Sequence, residues 1–371
     1  MADIKTHLRE LSVAITIGLL RDKSKFNLAI LYDSKTFLRL ANELISSKTE
    51  NANNLLIYEK FPNDLQQIIN NGYKLGKQIY NKFNINPSDQ ITWIGNDTQK
   101  GDPIDITIGK YAFSLKEQSF ILKNMGLYQF LNNLTGSTYK RGLHIFKTFA
   151  REDYENWFNY TWKSFYNYLH INKTWYSEKN NNISEAYIDD NSIILKYNKD
   201  LSSIIPISIK STDEYMKYTT SKTREKVFSK WINSEFSKNE TYNLLKRKCS
   251  EAAGKTVSNK ISTEFSPNNV YDFFQICENE YYYAKTTSSE TTILKVPSSY
   301  NFNSQIKFKG CRFEVPTSQL NIITTFQNEK SGKTLEFRNE CRFSHGQFNG
   351  TPEAKMYIVK NTQLDELYEK I

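Results

Sequence analysis

Between residues 64 and 133 the spacing of the apolar residues changes from helical to extended and back to helical. From Asp64 to Phe83 the apolar positions recur at helical intervals, which predicts a helix with one buried face. Pro87 then interrupts this pattern. Three segments with strand character follow, Gln90 to Gly95, Asp105 to Gly109 and Tyr111 to Lys116, before helical spacing returns. Because Gly109 and Lys110 suit a tight turn, the last two strands are expected to form a hairpin.

The other parts of the chain fit an α/β (α+β) fold class with a mixed central sheet, flanking helices and a strand-rich C-terminal region. The predicted division is a helical N-terminal region (1–63), a central unit (64–178), a mainly helical region (179–270) and a strand-rich region (271–371). In the last region an antiparallel sheet is expected. Residues 144–149 are considered as a further strand of the central unit. The aromatic residues between 154 and 176 have helical spacing, which favours burial in a core over stacking on bases.

The charge of the chain points to a polyanionic partner. Its 49 Lys and Arg outnumber its 40 Asp and Glu, which gives a net charge of +9. A moderately basic enzyme without a nucleic-acid substrate is the alternative. A hydrophobic content of 39% excludes a fully disordered chain.

Cysteine usage and hydropathy favour a reduced, cytoplasmic protein without a membrane segment. The four cysteines are widely separated, so their spacing matches neither a zinc knuckle nor a disulfide scaffold. The apolar stretch Leu11 to Leu20 follows Glu10 and is interpreted as a buried helix or strand rather than a signal peptide. No window has the roughly 18 apolar residues that a bilayer span requires. His144 and His345 are isolated, and no phosphate-binding GxxxxGK[ST] loop is found.

The segment from Gly101 to Glu117 holds the residue types that phosphodiester hydrolysis needs. If Asp105 opens one strand of the hairpin and Lys116 ends the other, both side chains meet at one end of the sheet. Ser114 shares a face with Lys116, because the two are two positions apart in a strand. A carboxylate can hold a hard divalent cation, and a nearby ammonium can orient or activate water. The alternative is that Asp105 caps a turn and Lys116 is a solvated charge.

This segment resembles the PD-(D/E)xK nuclease superfamily, whose core carries an Asp at the start of one strand and a (D/E/S)xK triplet on the next. Asp102, Pro103 and Asp105 correspond to the first half of the motif, with one residue inserted, and Ser114-Leu115-Lys116 corresponds to the second. Serine in the triplet is similar to a subset of restriction endonucleases that take a carboxylate from elsewhere. The resemblance covers roughly residues 64–150. It implies a restriction-endonuclease-like core within residues 64–178.

The resemblance also implies a role for each residue and Mg²⁺ as the cofactor. Asp105 is expected to hold the metal ion, Lys116 to position or activate water, and Ser114 to support the site. The carboxylates considered for completing the site and the metal shell are Glu117 and Asp102, with Glu43 and Glu59 as weaker upstream alternatives.

A DNA-binding surface is expected in the strand-rich C-terminal region. The residues predicted to contact DNA are Arg312, Arg338, Arg342, His345, Gln347 and Asn349. Arg pairs bidentately with guanine or phosphate, and Gln and Asn pair with adenine. Glycines nearby let the backbone approach a groove. The alternative is an ordinary antiparallel hairpin with a polar loop.

The function expected from this resemblance is that of a type II restriction endonuclease, which hydrolyses double-stranded DNA at a specific sequence with Mg²⁺-activated water. A homodimer is expected from the class, since each active site cuts one strand of a palindromic site. A cognate DNA methyltransferase is the expected functional partner, and the bacterial cytoplasm the expected location. The alternatives are a repair or defence nuclease of low sequence specificity and a non-catalytic DNA-binding protein.

Overall fold

Three β-sheets and the helices packed on them form the part of the chain that the computed structural model describes. The described residues are 4–24, 26–46, 50–94, 103–117, 126–198, 200–267, 270–274, 276–286, 290–302, 305–359 and 367–371.

The helices flank all three sheets. The α-helices of the described residues are α1 (Ile4–Arg21), α2 (Ser34–Leu44), α3 (Asn63–Lys82), α4 (Leu127–Thr135), α5 (Ile145–Phe149), α6 (Arg151–Asn172), α7 (Thr212–Tyr218), α8 (Ser221–Thr223), α9 (Ser229–Trp231), α10 (Glu240–Thr263), α11 (Val270–Phe274) and α12 (Ser299–Phe302). Leu28–Tyr32 and Glu50–Ile57 are 3₁₀ helices. Two π-helical turns, Arg224–Phe228 and Ile232–Phe236, flank α9.

The strands fall into one mixed sheet and two antiparallel sheets. They are β1 (Ile91–Trp93), β2 (Ile106–Ile108), β3 (Tyr111–Glu117), β4 (Thr174–Lys179), β5 (Asn182–Asp189), β6 (Ser192–Tyr197), β7 (Leu201–Pro206), β8 (Tyr281–Thr286), β9 (Thr291–Val296), β10 (Ile306–Glu314), β11 (Asn321–Asn328), β12 (Thr334–Arg342), β13 (Glu353–Ile358) and β14 (Glu369–Lys370). The sheet orders are β1-β2-β3-β8-β9-β14, β4-β5-β6-β7 and β10-β11-β12-β13.

We call the first of these sheets the central sheet. It is mixed, because β3 pairs in parallel with β8 while all other neighbouring strands in the sheet pair antiparallel. The expected mixed sheet with flanking helices is therefore confirmed. Alternation along β3 points Phe113 and Leu115 into the core that β3 shares with α1 and α3. The more specific prediction of a restriction-endonuclease-like core stays a prediction.

Two glycines of α3 allow close packing of α3 against α1. A Cβ at Gly72 would lie 2.5 Å from the Cβ of Ser12, and a Cβ at Gly76 would lie 2.9 Å from the Cβ of Thr16. Only a residue without a side chain fits at this distance. The two helices therefore form one layer on the central sheet. This packing holds α1 against the strands, and Glu10 of α1 is buried there.

The hydrophobic cores extend across the predicted regional boundaries. One core combines α1, α2 and α3 with β1, β2, β3, Ala284 of β8 and Ile293 of β9. It therefore contains residues from the predicted N-terminal region, central unit and C-terminal region. A second core joins α4, α6 and α10 to the other two sheets. The boundaries stay predictions, but the packing does not follow them.

The aromatic segment of α6 is buried, as the sequence indicates. Tyr154, Trp157, Phe158 and Phe165 are at most 1% exposed and lie in the second core. These side chains therefore pack in the core rather than being exposed for stacking on bases.

The structure differs from two expectations about secondary structure. Residues 145–149, considered as a strand, form α5, and His144 Nδ1 accepts from the Lys147 amide at its start. A short apolar run has no periodicity that separates helix from strand. The region 179–270 contains the predicted helices but also β5, β6 and β7, whose turns use positive-φ residues at Asn180, Asn181 and Asp190.

The chain as described also has no helix that combines the length and the apolar character needed to cross a bilayer. In the C-terminal region, β10 to β13 form an antiparallel sheet, as expected. Of the helix expected after Lys116, residues 118–125 lie outside the described residues, and α4 covers 127–135.

Candidate active site

The β2–β3 hairpin brings Asp105 and Lys116 together. Ile106 pairs with Phe113 across the hairpin, and Gly109 takes a φ of 53° in the turn. Asp105 precedes β2, and its backbone N–H donates to the Phe113 carbonyl at 2.8 Å. The Lys116 Nζ lies 3.8 Å from the Asp105 Oδ2, as chain reversal predicts.

The carboxylate of Asp105 also takes the place of a backbone partner for β3. Since β2 begins at Ile106, the Leu115 amide lies beyond the paired strand, and it donates to the Asp105 Oδ2 at 2.6 Å. The side chains of Asp105 and Lys116 are 21% and 25% exposed, so both can be reached from solvent. This hydrogen bond fixes the carboxylate next to the ammonium.

Ser114 lies on the buried side of this pair. It is fully buried, and its Oγ has no hydrogen-bond partner among the described residues. Its register partner on β8 is Tyr283. A buried hydroxyl without a partner is costly, which makes Ser114 a donor or acceptor available to a further group.

Glu10 of α1 is a second carboxylate at this site, and the sequence analysis did not assign it. Glu10 is 4% exposed, and its Oε2 accepts from the Trp93 Nε1 at 2.8 Å. Burial, and to a smaller extent the nearby negative charge of Asp105, raise the pKa of Glu10 to about 7. Arg9 and Lys116 act on Glu10 in the opposite direction, and an Arg9 Nη2 lies 3.8 Å from the Glu10 Oε1.

The sequence did contain a signal for Glu10. It directly precedes the apolar stretch Leu11 to Leu20, which the sequence alone indicates to be buried. A charge at such a position needs a partner or a function.

The set of Glu10, Asp105, Ser114 and Lys116 fits a divalent cation. Two carboxylates repel each other here, so a cation between them would lower the pKa of Glu10. Mg²⁺ keeps several waters and binds through few carboxylates. Among the described residues, no group of three or more His, Cys, Asp or Glu side chains is arranged to hold a metal ion, so the donors at this site are two carboxylates and a hydroxyl.

The other proposed carboxylates do not add to this described set. Asp102 lies outside the described residues, and Glu117 ends β3 in register with Thr286, with its side chain outside what the structure describes. Their role as metal ligands stays a prediction. Glu43 pairs with Arg39 at 2.8 Å on the exposed side of α2, and Glu59 is exposed.

The arginines predicted to contact DNA lie on a different sheet, β10 to β13, where two of them pair with carboxylates and the third lies over an aromatic ring. Arg312 contacts Glu336 at 2.5 Å and Glu314 at 3.3 Å. Arg342 contacts Glu340 at 2.7 Å. Arg338 lies over the Tyr357 ring at 5.1 Å. These contacts are those of an alternating polar sheet face.

The three polar residues after β12 connect their segment to β13 and to the helical region around α9. His345 Nε2 lies 3.4 Å from Glu353, and the Gln347 carbonyl accepts from the Ser229 hydroxyl at 2.9 Å. Asn349 accepts from Arg224 Nε at 3.0 Å. Their DNA contacts, like those of the three arginines, stay predictions.

The local geometry is therefore a carboxylate pair, an ammonium and a buried hydroxyl at one end of the central sheet. Such a set can hold a hard cation, orient water and offset negative charge. Comparisons of the chain with protein-family models, curated proteins and solved structures found no match.

Proposed function

We propose that the chain is a magnesium-dependent DNA endonuclease, and that within this class it acts as a type II restriction enzyme. The observation that carries the proposal is the convergence of Glu10, Asp105 and Lys116 beside the β2–β3 hairpin. The hairpin is the element on which the resemblance to the PD-(D/E)xK superfamily depends. The net charge of +9 supports a polyanionic substrate.

The side chains have separate tasks in this proposal. Glu10 and Asp105 would hold Mg²⁺, which when bound makes water more acidic and offsets charge on the phosphate. Lys116 orients the attacking water and donates to a phosphate oxygen as negative charge develops. The Leu115 amide keeps the Asp105 carboxylate in place, and the Ser114 hydroxyl supports the site from its buried side.

Two conditions follow from this chemistry. Lys116 must stay close to the scissile phosphate, which its partial exposure allows. Glu10 must be ionised when the cation binds, although burial and Asp105 favour its protonated form. Cation binding is therefore expected to release a proton near neutral pH.

A second candidate, a nuclease of low sequence specificity, is favoured by the ion pairs of the C-terminal sheet. Arg312, Arg342 and His345 each face a carboxylate. Base readout by these residues requires that DNA replace those pairs. If the pairs persist in the complex, phosphate contacts dominate and cleavage is nonspecific.

Plasmid cleavage with and without Mg²⁺ tests the proposal. Lys116→Ala is expected to lower the cleavage rate by at least about 100-fold, because it removes the group that orients water. Lys110→Ala, in the exposed turn of the same hairpin, is the matched control and should cleave like the wild type.

Binding of duplex DNA in Ca²⁺, measured by fluorescence anisotropy, separates catalysis from binding. Lys116→Ala should retain most of the affinity. Cleavage that needs no divalent cation, or that is equal in wild type and Lys116→Ala, would refute the proposed mechanism. DNA binding without any cleavage would instead support the non-catalytic alternative. Discrete bands indicate restriction, and a smear indicates nonspecific degradation.

The class also predicts partners. A restriction enzyme of this type is proposed to act on duplex DNA as a homodimer, with a cognate methyltransferase protecting the host site. Sedimentation with and without a duplex oligonucleotide measures the stoichiometry of the complex.

A further inference from the structure

A basic pocket, to which the β2–β3 hairpin contributes no residue, lies between the β4–β5 turn, α9 with its preceding π-helical turn, and residues 344–346. Its volume is about 370 Å³. We call it the lysine pocket, after Lys179, Lys226 and Lys230, which line it. These lysines belong neither to the candidate active site nor to the residues predicted to contact DNA.

The lysine pocket has more positive than negative charge. The carboxylate that lines it is Glu225, which pairs with Lys226 at 2.7 Å. The Nζ of Lys230 donates to the Ser184 hydroxyl at 3.4 Å. Burial lowers the pKa of Lys230, and the positive charges of Lys179 and Lys226 lower it further. An anion among the three ammonium groups would relieve this repulsion.

Local backbone structure holds the lysines in position. Asn180 and Asn181 both have positive φ, 51° and 61°, in the two-residue turn that ends β4 at Lys179. A π-helical turn, Arg224–Phe228, displays Lys226 one turn before Lys230. π-helical turns inside α-helices occur frequently at functional sites.

The third side of the lysine pocket is fixed by a close backbone approach. Gly346 has a φ of 91°, and a Cβ there would overlap the Ser229 hydroxyl. That hydroxyl donates to the Gln347 carbonyl at 2.9 Å. His345 also lines the pocket, although Glu353 lies 3.4 Å from its Nε2. The pocket is thus formed before any ligand binds, which lowers the entropic cost of binding.

We propose that the lysine pocket binds a phosphate group. Several ammonium donors around one cavity suit a compact oxyanion with oxygens on all sides. If the chain acts on DNA, as proposed above, the ligand is a backbone phosphate away from the cleavage site. The same chemistry would hold the phosphate of a small phosphorylated molecule.

Two variants and one control test this proposal. Lys230→Gln and Lys179→Gln each remove one positive charge from the lysine pocket. Lys77→Gln removes a charge from the exposed side of α3 and is the control. Circular dichroism establishes that each variant is folded.

The first measurement is independent of DNA. Inorganic phosphate, compared with KCl at equal ionic strength, should raise the thermal midpoint of the wild type and of Lys77→Gln. Both pocket variants should lose most of this shift.

The second measurement is duplex DNA affinity in Ca²⁺ as a function of KCl concentration. Each pocket variant should lower the slope of log affinity against log salt by about one relative to Lys77→Gln. Loss of slope together with loss of the phosphate shift identifies a DNA phosphate as the ligand. Loss of the phosphate shift with unchanged DNA binding identifies a small phosphorylated ligand.

The outcomes separate this inference from the proposed function. If the protein neither binds nor cleaves DNA, but its rise in thermal midpoint with phosphate requires Lys230 and Lys179, the phosphate site is supported. The nuclease proposal is then refuted. Pocket variants that match Lys77→Gln in both measurements overturn the phosphate site, even if the wild type cleaves DNA.

Discussion

Glu10 is a carboxylate whose ionised form is destabilised by its position in the fold. Its pKa is raised from 4.5 to about 7, first by burial and then by Asp105. A raised carboxyl pKa means that the cost of its charge is present above pH 7 and absent below about pH 4.5. The shift corresponds to at most about 3 kcal/mol.

Replacing Glu10 with Gln should therefore make the protein more stable and less active. Glu10→Gln is expected to raise the free energy of unfolding at pH 8 by up to about 3 kcal/mol and to change it little at pH 4.5. It should also lower Mg²⁺-dependent cleavage by about 100-fold, because a metal ligand is lost. Urea denaturation at both pH values and plasmid cleavage measure the two effects.

The matched control for Glu10 is Glu43→Gln, which removes an exposed carboxylate paired with Arg39. It should alter neither property by much. Equal stability of Glu10→Gln and wild type at pH 8, with full cleavage, would contradict the assignment of Glu10 to the site.

His144 gives the folded chain a sensitivity to acid. Burial, and to a smaller extent the charge of Lys147, lower the pKa of His144 from 6.5 to about 4. A depressed histidine pKa contributes stability that is complete above pH 6.5 and is lost as the pH falls toward 4. The wild type is therefore expected to lose up to about 3 kcal/mol from this group across that interval.

His144→Asn keeps an acceptor at the N-terminus of α5 and removes the titration. Its stability should fall less steeply between pH 6.5 and 4 than that of the wild type or of a variant at the exposed His170. Thermal midpoints across this range measure the slopes. Parallel slopes for wild type and His144→Asn would exclude this contribution.

Residues close in sequence were the predictable part of the site. Alternation and one glycine turn are enough to bring Asp105, Ser114 and Lys116 together, because the hairpin is a local structure. Glu10 could not be paired with them from the sequence, since only the packing of α1 on the central sheet makes it their neighbour.

The position of the helix α1 depends on its contact with α3. A methyl group at residue 72 would lie 2.5 Å from the Ser12 Cβ and 3.1 Å from the Arg9 carbonyl. Neither neighbour can move without moving α1, which carries Glu10. The helix contact therefore supports the geometry of the candidate site.

Gly72→Ala is expected to lower the free energy of unfolding by about 1 to 3 kcal/mol through overpacking. It should also reduce cleavage more than its stability loss explains, because Glu10 shifts with α1. Lys74→Ala, on the exposed side of α3, is the control. Urea titrations and cleavage rates at a temperature where all variants are folded measure both. Unchanged stability in Gly72→Ala would show that the helices separate without cost.

Helices and strands whose apolar residues recur at a regular spacing could be predicted from the sequence, and those without such a spacing could not. The helix α3 repeats buried apolar residues along one face over 20 residues, and the strand β12 alternates buried with more exposed residues over nine. The strands β5 to β7, of six to eight residues, and the five-residue helix α5 have no comparably clear period, and tertiary packing decides their state. Their best local signals were turns of Asn and Asp, which tolerate positive φ.

The central sheet joins parts of the chain that are distant in sequence. β3 has β2 on one side and β8 on the other, with Leu115 opposite Ala284. A fragment of residues 1–178, which contains the predicted nuclease core, lacks β8, β9 and β14. It leaves the β8 side of β3 and part of the core unpaired.

The fragment 1–178 is therefore expected not to unfold cooperatively, whereas the full chain should show a cooperative transition. Circular dichroism during heating measures this difference. Addition of a second fragment with residues 179–371 is a useful control, because restored cooperativity would show that the missing strands are responsible. A sharp transition for 1–178 alone would mean that the predicted region is an independent domain.

The parallel pairing of β3 with β8 also has a consequence for synthesis on the ribosome. At translation rates of about 5 to 20 residues per second, the β2–β3 hairpin emerges on the order of ten seconds before β8. During that interval β3 is an edge strand of the nascent chain, open to pairing with other chains. The hairpin with Asp105 and Lys116 thus acquires its final surroundings only after the C-terminal third has been translated.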